Sequence, residues 1–377
     1  MPTTEQVFLA LLRSELTGEA PPTVAPSEEL LKLSAKHDLS HLVADALDKQ
    51  SALGADTVSQ ALKKQRYRAV LRYEQLNYEL EAVNQCFAEA RLPFIPLKGA
   101  VIRAYYPEPW MRTSCDIDIL VHPEDVDRAV QLLCDKLGYQ YKGKGTHDVS
   151  LFAPCGLHVE LHFDTVEQGR ASKANEVLSH VWEHTEGEIA CRMSDAMFYF
   201  YHIAHMAKHV EEGGCGVRSF MDLWLLMHAA EYDKAERRAL LGNGGLARFA
   251  EAVEQLADYW FSGAEPSSFI CDLEEFILHG GAYGTVATRT AVHQHKNGRW
   301  KTLWETIIPP YSDLKLQYPV LQTKSWLYPF YVLYRIGTKL QRKERKLAGK
   351  RLQQMTSVGN EERRSVADLL NGLGLSE

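Results

Sequence analysis

The spacing of hydrophobic residues changes twice along the chain. Up to about residue 90 these residues recur at helical spacing, as at Val7, Leu11 and Leu12. Short apolar runs separated by Gly- and Pro-containing turns follow, which is typical of strands, and helical spacing returns after about residue 168. The pattern predicts three regions: an N-terminal helical region at 1–90, a compact core at 91–168 and a C-terminal helical domain at 169–377.

Five apolar runs in the middle region predict strands, and two segments between them predict helices. Pro123 lies near the first position of one predicted helix, a place that suits its fixed backbone. The predicted strands are 92–97, 115–121, 138–141, 148–152 and 157–163, and the predicted helices are 101–106 and 122–137. A strand-rich unit with helices before and after it predicts an α+β fold class.

Composition and charge narrow the class of protein. The chain of 377 residues is 45% hydrophobic and 24% charged, which is typical of a globular protein. Its formal charge of −7 does not favour a duplex-binding protein, although a local basic patch stays possible. The seven cysteines lack any C-x-x-C pair, which argues against a disulfide framework and a structural zinc site. Reduced thiols are the simple interpretation.

No segment reads as a targeting or membrane sequence. The N-terminal residues lack a basic region and include Glu5 early, so they do not resemble a signal peptide. The most apolar stretch, Trp326–Tyr334, is shorter than the roughly 20 residues that a membrane span needs, and it contains Pro329. We therefore expect a cytoplasmic protein without stable membrane insertion.

Two acids stand in the otherwise apolar run Cys115–Val121. On a strand, Asp116 and Asp118 project from the same face, about 7 Å apart along the backbone. Two carboxylates on a largely buried strand repel each other unless a positive charge sits between them. Mg²⁺ or Mn²⁺ is the natural candidate, because hard cations bind oxygen ligands. The alternative is a pair of surface acids on an edge strand.

The run His158–Phe163 supplies a third acid by the same alternation. His158, Glu160 and His162 share one face of the predicted strand. If this strand lies beside the Asp strand, Glu160 completes a site of three carboxylates, which can hold two metals about 3.5–4 Å apart. Glu160 could also accept a proton from the acceptor as general base. A solvent-facing acid is the alternative for Glu160.

Candidate phosphate-binding residues precede the Asp strand. Lys98 and Gly99 form a strand-to-helix turn, where glycine lets the backbone approach a phosphate and lysine adds a positive charge. Arg112 and Ser114 are placed to contact phosphate or sugar, and arginine suits bidentate phosphate binding. An ordinary turn is the alternative for Lys98 and Gly99. A salt bridge between Arg112 and one of the acids is an equal alternative for that residue.

Three segments together, Pro96–Pro107, Arg112–Val121 and His158–His162, resemble the uncharacterised nucleotidyltransferase family of the DNA polymerase β-like superfamily. The resemblance covers about 75 residues strongly. It implies a small mixed β-sheet core flanked by helices, with Asp116, Asp118 and Glu160 as metal ligands. It also implies a nucleoside triphosphate substrate, with ATP the expected nucleotide. The superfamily's usual turn is Gly-Gly or Gly-Ser. This chain has Gly99-Ala100 and therefore lacks the serine hydroxyl that often contacts the nucleotide phosphates.

The sequence thus predicts a Mg²⁺- or Mn²⁺-dependent transferase that moves a nucleoside monophosphate to a hydroxyl acceptor and releases pyrophosphate. Lys98, Gly99, Arg112 and Ser114 would hold the triphosphate. The acceptor, a small molecule, protein or RNA, is left open. One alternative is a catalytically inactive nucleotide-binding or regulatory module. Another is a toxin-like enzyme that modifies tRNA, and a structural scaffold is a third.

Two further patterns accompany this core. His202, His205 and His209 share one helix face, where we expect pocket or core residues rather than a zinc site, since the H-E-x-x-H pattern is absent. The segment Lys339–Arg351 is rich in Lys and Arg. It is either a solvated helix face or an electrostatic contact for an acidic partner such as RNA.

Overall fold

The computed structural model describes residues 2–165, 172–230, 232–282, 284–298, 308–311, 314, 318, 320–339 and 359–375. Contacts group the chain into two compact units. The first unit contains residues 1–206 and 217–271, and the second contains residues 207–216 and 272–377. The three regions drawn from the sequence follow changes of hydrophobic pattern rather than packing, and they stay a prediction.

The first unit begins with four helices: α1 (Thr4–Thr17), α2 (Glu28–Lys36), α3 (Ser40–Lys49) and α4 (Thr57–Glu89). Side-chain caps define the N-termini of α1 and α4. Thr3 and Gln6 form a reciprocal capping box at α1, and Asp56 accepts a hydrogen bond from the Ser59 backbone N–H at α4. Neither Gly nor Pro interrupts the 33 residues of α4. It is therefore long enough to pack against α3 and the sheet.

The sheet has five strands: β1 (Phe94–Pro96), β2 (Asp116–Val121), β3 (Gln140–Lys144), β4 (Asp148–Phe152) and β5 (His158–His162). Their order is β1-β2-β5-β4-β3. β2 and β5 pair in parallel, and the other neighbouring pairs are antiparallel. The expected mixed sheet and α+β fold class are confirmed. β3 starts later than predicted, because Gly138 ends the preceding helix with φ 70.

One face of this sheet is covered by α4 and α6 (Val126–Leu137). Ile117, Ile119, Val159 and Leu161 point into this core. Leu76, Val83 and Phe87 of α4 and Val126, Ala129 and Leu133 of α6 pack against them. Since strand side chains alternate between faces, the polar residues of β2 and β5 project from the opposite face.

Short elements lie between these strands, and helices follow the sheet. A one-turn helix, α5 (Gly99–Ile102), continues as the 3₁₀ turns Arg103–Tyr105 and Pro109–Met111. The elements that follow are α7 (Lys173–Ser179), β6 (Thr185–Glu186), β7 (Arg192–Met193), α8 (Asp195–Glu211), α9 (Val217–Met227), α10 (Lys234–Asn243) and α11 (Ala247–Ser262). Phe220 of α9 and Trp260 of α11 pack edge to face, 5.0 Å between centroids.

The second unit is helical where it is described. Its helices are α12 (Ser268–Gly280, which starts in the first unit), α13 (Val286–Asn297), Val320–Thr323, Tyr328–Lys339 and Asn360–Leu373. A search of the described residues finds no helix long and apolar enough to cross a membrane. Most of the basic segment Lys339–Arg351 lies outside the described residues, so its function stays a prediction.

Candidate functional site

The parallel register of β2 and β5 brings the three predicted carboxylates together. Asp116 is opposite His158, and Asp118 is opposite Glu160. Alternation puts all four side chains on the sheet face away from the α4–α6 core. Residues distant in sequence thus form one cluster, and the structure places Asp116, Asp118 and Glu160 as the sequence predicted. Their metal-binding role stays a prediction.

Asp118 is the buried carboxylate of the cluster, with 5% of its surface exposed. Its Oδ1 accepts hydrogen bonds from Lys98 Nζ at 2.9 Å and from His162 Nε2 at 2.8 Å. Burial opposes the charged form, but the His162 hydrogen bond and the Lys98 charge outweigh burial and lower the pKa of Asp118. Asp118 is therefore ionised at neutral pH.

Asp116 and Glu160 have opposite electrostatic surroundings. Burial, together with the charges of Asp118 and Glu160, raises the pKa of Asp116 above its ordinary value. The contact with His162, whose Nε2 lies 3.5 Å from Glu160 Oε2, lowers the pKa of Glu160 and outweighs its partial burial. Within this cluster Asp116 is consequently the carboxylate that holds a proton most readily.

Two histidines complete the cluster, and the sequence analysis gave neither of them a role. Potential ligand atoms of Asp116, His158 and Glu160 lie within 4.8 Å of one another, and so do those of Asp118, Glu160 and His162. The two groups share Glu160. The signal was present in the sequence, because His158 and His162 alternate with Glu160 on one face.

Lys98 reaches the cluster from an unusual backbone conformation. Its φ is 44 and its ψ is −118, values that favour glycine. Burial opposes its charge, but Tyr201, Asp118 and Glu160 around the ammonium raise the pKa of Lys98. Tyr201 of α8 is itself buried, and burial raises the pKa of its phenol to about 12. Sequence reasoning missed Tyr201, since no local pattern links α8 to the sheet.

The turn that contains Gly99 packs closely against Ser114. A Cβ on Gly99 would lie 3.2 Å from Ser114 Cβ and 3.6 Å from Arg112 Nη1. Arg103 Nε donates to the Gly99 carbonyl at 2.7 Å, and its Nη2 donates to Ser114 Oγ at 3.2 Å. Arg103 was not predicted. Among the described residues its buried Nη1 has no hydrogen-bond partner.

Arg112 forms a salt bridge, as one of the two interpretations of this residue proposed. Its partner is an acid outside the sheet. Its Nε lies 2.8 and 2.9 Å from the two carboxylate oxygens of Asp222 on α9. Tyr106 donates to Asp222 Oδ1 at 2.6 Å. The charge of Arg112 outweighs burial and lowers the pKa of Asp222. A phosphate contact by Arg112 stays a prediction.

The three helical histidines do not share one environment. His202 is half-buried, and its Nε2 lies 2.9 Å from the Ser219 carbonyl. The His205 ring stacks on Tyr201, 6.3 Å between centroids, and His209 belongs to the second unit. Among the described residues, the candidate metal-binding groups include none of these three histidines. Their expected role as pocket or core residues stays a prediction.

A comparison with known protein families finds a match over most of the first unit. The model of a family described as an uncharacterised nucleotidyltransferase matches residues 25–262, more than half of the 377-residue chain. No curated protein and no solved structure matches the chain significantly. The matched span runs from just before α2 to the end of α11, so it contains the sheet cluster and also Asp222.

Proposed function

Because the chain belongs to the uncharacterised nucleotidyltransferase family, we propose that it is a metal-dependent enzyme that transfers a nucleoside monophosphate from a nucleoside triphosphate. The acceptor is a hydroxyl group, and pyrophosphate is released. One observation carries this proposal: Asp116, Asp118 and Glu160 converge on one sheet face although Asp118 and Glu160 are 42 positions apart along the chain.

The donor set fits a divalent cation. Three carboxylates lie in one partly buried cluster, and the Lys98 ammonium offsets only part of their charge. Carboxylate oxygens are the ligands that Mg²⁺ and Mn²⁺ take. A cation held there would neutralise the triphosphate and polarise the acceptor hydroxyl. This set supports the expected Mg²⁺ or Mn²⁺ requirement.

The reaction forms a bond between the acceptor oxygen and the α-phosphorus. The bond between the α-phosphorus and the oxygen that bridges to the β-phosphate breaks, and pyrophosphate leaves with that electron pair. The acceptor proton must move to a base. We assign this role to a carboxylate of the cluster, with Asp116 and Glu160 as the candidates.

In this proposal the residues around Gly99 bind the triphosphate. Gly99 leaves room for a close approach to the backbone, and Lys98, Arg103 and Arg112 bring three positive charges to this turn. Asp222 holds the Arg112 guanidinium in place. The nucleotide is proposed to be ATP, and the seven free cysteines support a reducing compartment such as the cytoplasm.

The test is label transfer from each α-labelled triphosphate with Mg²⁺ or Mn²⁺ and a cell extract. We expect labelled acceptor and pyrophosphate with the wild-type chain, and loss of both with Asp116→Ala or Asp118→Ala. His180→Gln, a substitution of an exposed histidine, serves as the matched control. Triphosphate binding without transfer would favour an inactive nucleotide-binding module. Absence of both triphosphate and metal binding would refute both functions.

A second candidate, an RNA-modifying transferase, is favoured by one face of α4. Lys63, Lys64, Tyr67, Arg68 and Leu71 are exposed at helical spacing, and residues 57–73 contain no acid. We call these five residues the basic face of α4. Basic side chains interleaved with aromatic rings are typical of single-stranded nucleic-acid binding.

A residue of α4 next to this basic face contacts the start of β2. Arg72 of the same helix donates a hydrogen bond to the backbone carbonyl of Cys115, the residue before Asp116. An acceptor bound along the first half of α4 would therefore pass close to the start of β2. Lys64→Glu with Arg68→Glu should reduce labelling of RNA and leave cation binding unchanged. Lys32→Glu on α2 is the control, and equal RNA labelling in both variants would refute this candidate.

A further inference from the structure

The ring of His158 is fixed so that one nitrogen faces the carboxylates. Its Nε2 lies 2.7 Å from Ser150 Oγ, and the ring stacks on Phe152 with 4.8 Å between centroids. Its Nδ1 lies 3.7 Å from Glu160 Oε1. A hydroxyl or carbonyl that binds the far nitrogen is the usual way in which proteins orient a metal-binding histidine.

The distance between His158 Nδ1 and Glu160 Oε1 fits two ligands better than it fits a donor and an acceptor. At 3.7 Å it exceeds hydrogen-bond length. Two ligands each about 2.1 Å from one cation lie about 3–3.5 Å apart at octahedral or tetrahedral angles. A contraction of a few tenths of an ångström would therefore bring both atoms onto one cation.

Asp118 is in a different situation. Its Oδ1 already accepts two hydrogen bonds, from Lys98 at 2.9 Å and from His162 at 2.8 Å. His162 is thus engaged as a partner that positions Asp118, whereas the inward-facing nitrogen of His158 makes no bond of hydrogen-bond length among the contacts of the described cluster. Of the two candidate groups, the one formed by Asp116, His158 and Glu160 is therefore better suited to bind a cation.

We propose that His158 Nδ1 binds the cation together with Asp116 and Glu160, and that this nitrogen makes the site prefer Mn²⁺ over Mg²⁺. The inference rests on the proposed function for the existence of the cation site. Mg²⁺ is a hard cation that takes oxygen ligands almost exclusively. An imidazole nitrogen adds affinity for first-row transition metals, so a mixed nitrogen and oxygen set shifts the preference towards Mn²⁺.

The direct test uses Mn²⁺ alone with the full chain. Electron spin-echo spectroscopy of bound Mn²⁺ identifies a coordinated ¹⁴N nucleus by its strong coupling to the electron spin. We expect ¹⁴N modulation in the wild-type chain, its loss in His158→Gln, and its persistence in His162→Gln. His180→Gln should match the wild-type spectrum. Absence of the modulation in the wild-type chain, or its persistence in His158→Gln, would overturn the proposal.

A binding measurement tests the metal preference separately. In His158→Gln the Mn²⁺ dissociation constant should rise by about tenfold or more, and the Mg²⁺ constant should change much less. Equal losses for the two cations would overturn the claim of selectivity. Ser150→Ala keeps the histidine and frees its ring, so it should retain ¹⁴N modulation while Mn²⁺ binds more weakly.

These readouts separate the inference from the proposed function. Nitrogen coupling without label transfer would leave the ligand assignment intact and refute the transferase. Label transfer without a signal from coordinated nitrogen would support the transferase and refute the assignment of His158 as a ligand. If His158→Gln fails to fold, the wild-type and His162→Gln spectra together still show whether a nitrogen other than that of His162 is coordinated.

Discussion

Asp118 on β2 and Glu160 on β5 are register partners across a parallel strand pair. The Lys98 ammonium and the His162 imidazole lie beside this carboxylate pair, with His162 Nε2 2.8 Å from Asp118 Oδ1 and 3.5 Å from Glu160 Oε2. Asp116 contacts neither of these positive groups within salt-bridge distance among the described residues. The charge of Asp118 is therefore neutralised and that of Glu160 is partly neutralised. The ionised form of Asp116 stays electrostatically unfavourable.

Asp116→Asn should stabilise the metal-free protein while abolishing transfer. The folded-state pKa of Asp116 is raised, so its ionised form opposes folding at neutral pH, and this penalty grows as pH rises through that pKa. We expect a higher Tm at pH 7 without metal. Added Mn²⁺ should raise the Tm of the wild-type chain only.

The control for that measurement is Asp135→Asn on the exposed side of α6. It makes the same chemical change outside the cluster, so Tm and transfer should both stay near wild type. A lower metal-free Tm for Asp116→Asn than for this control would contradict the electrostatic account.

Lys98→Gly and Lys98→Ala should differ in stability although both lack the ammonium. A Cβ is unfavourable at φ 44, so the glycine variant should be more stable by about 1 kcal/mol. Both variants should lose triphosphate affinity equally. Denaturant unfolding and nucleotide titration measure the two effects, and equal stabilities would contradict the assigned backbone strain.

Asp222→Asn should destabilise the first unit, because it leaves the Arg112 guanidinium without its buried counter-charge. Removing one partner of a buried pair typically lowers the free energy of unfolding by about 3–5 kcal/mol. Tyr106→Phe removes only the 2.6 Å hydrogen bond and should lower it by about 2 kcal/mol. Denaturant unfolding of both variants checks the order, and a larger loss for Tyr106→Phe would contradict it.

His41 should make the protein sensitive to mild acid. The side chain is buried with its Nε2 2.9 Å from the Met111 carbonyl, and burial lowers its pKa from 6.5 to about 4. Between these pH values the unfolded chain binds the proton and the folded chain does not, so stability rises with pH across the window. Acidification from pH 7 to 4 should remove about 3 kcal/mol of this contribution.

His41→Gln tests that assignment because glutamine keeps an N–H donor and does not titrate. Unfolding free energies of the two proteins should converge as pH falls from about 6.5 towards 4, if the wild type is the more stable at pH 7. Parallel pH profiles would assign the acid sensitivity to other groups.

Local alternation explains why much of the cluster could be predicted from sequence. The strand period of two fixes which of residues 116–121 and 158–162 share a face, whatever the rest of the fold does. Hence the shared face of Asp116 and Asp118 followed from the run of residues itself, whereas their convergence with Glu160 also required the pairing of β2 with β5. His158 and His162 were placed on the correct face by the same rule, but a face does not reveal hydrogen-bond partners.

The contacts that could not be predicted join distant segments. Arg112 and Asp222 are 110 positions apart, and Tyr106 and Asp222 are 116 positions apart. No period in the sequence links the turn before β2 to α9. Likewise, the positive φ of Lys98 could not be predicted, because that conformation is set by the surrounding fold and lysine rarely adopts it.

The parallel pairing of β2 with β5 has a consequence for how the chain folds. Asp118 and His162 are 44 positions apart, and β3 and β4 lie between their strands in the chain. Contacts of this separation form only after a long loop has closed, later than local helices. A nascent chain in which α1–α4 have formed but β5 has not yet docked therefore lacks the assembled carboxylate cluster, and the cluster appears only once β5 has paired with β2.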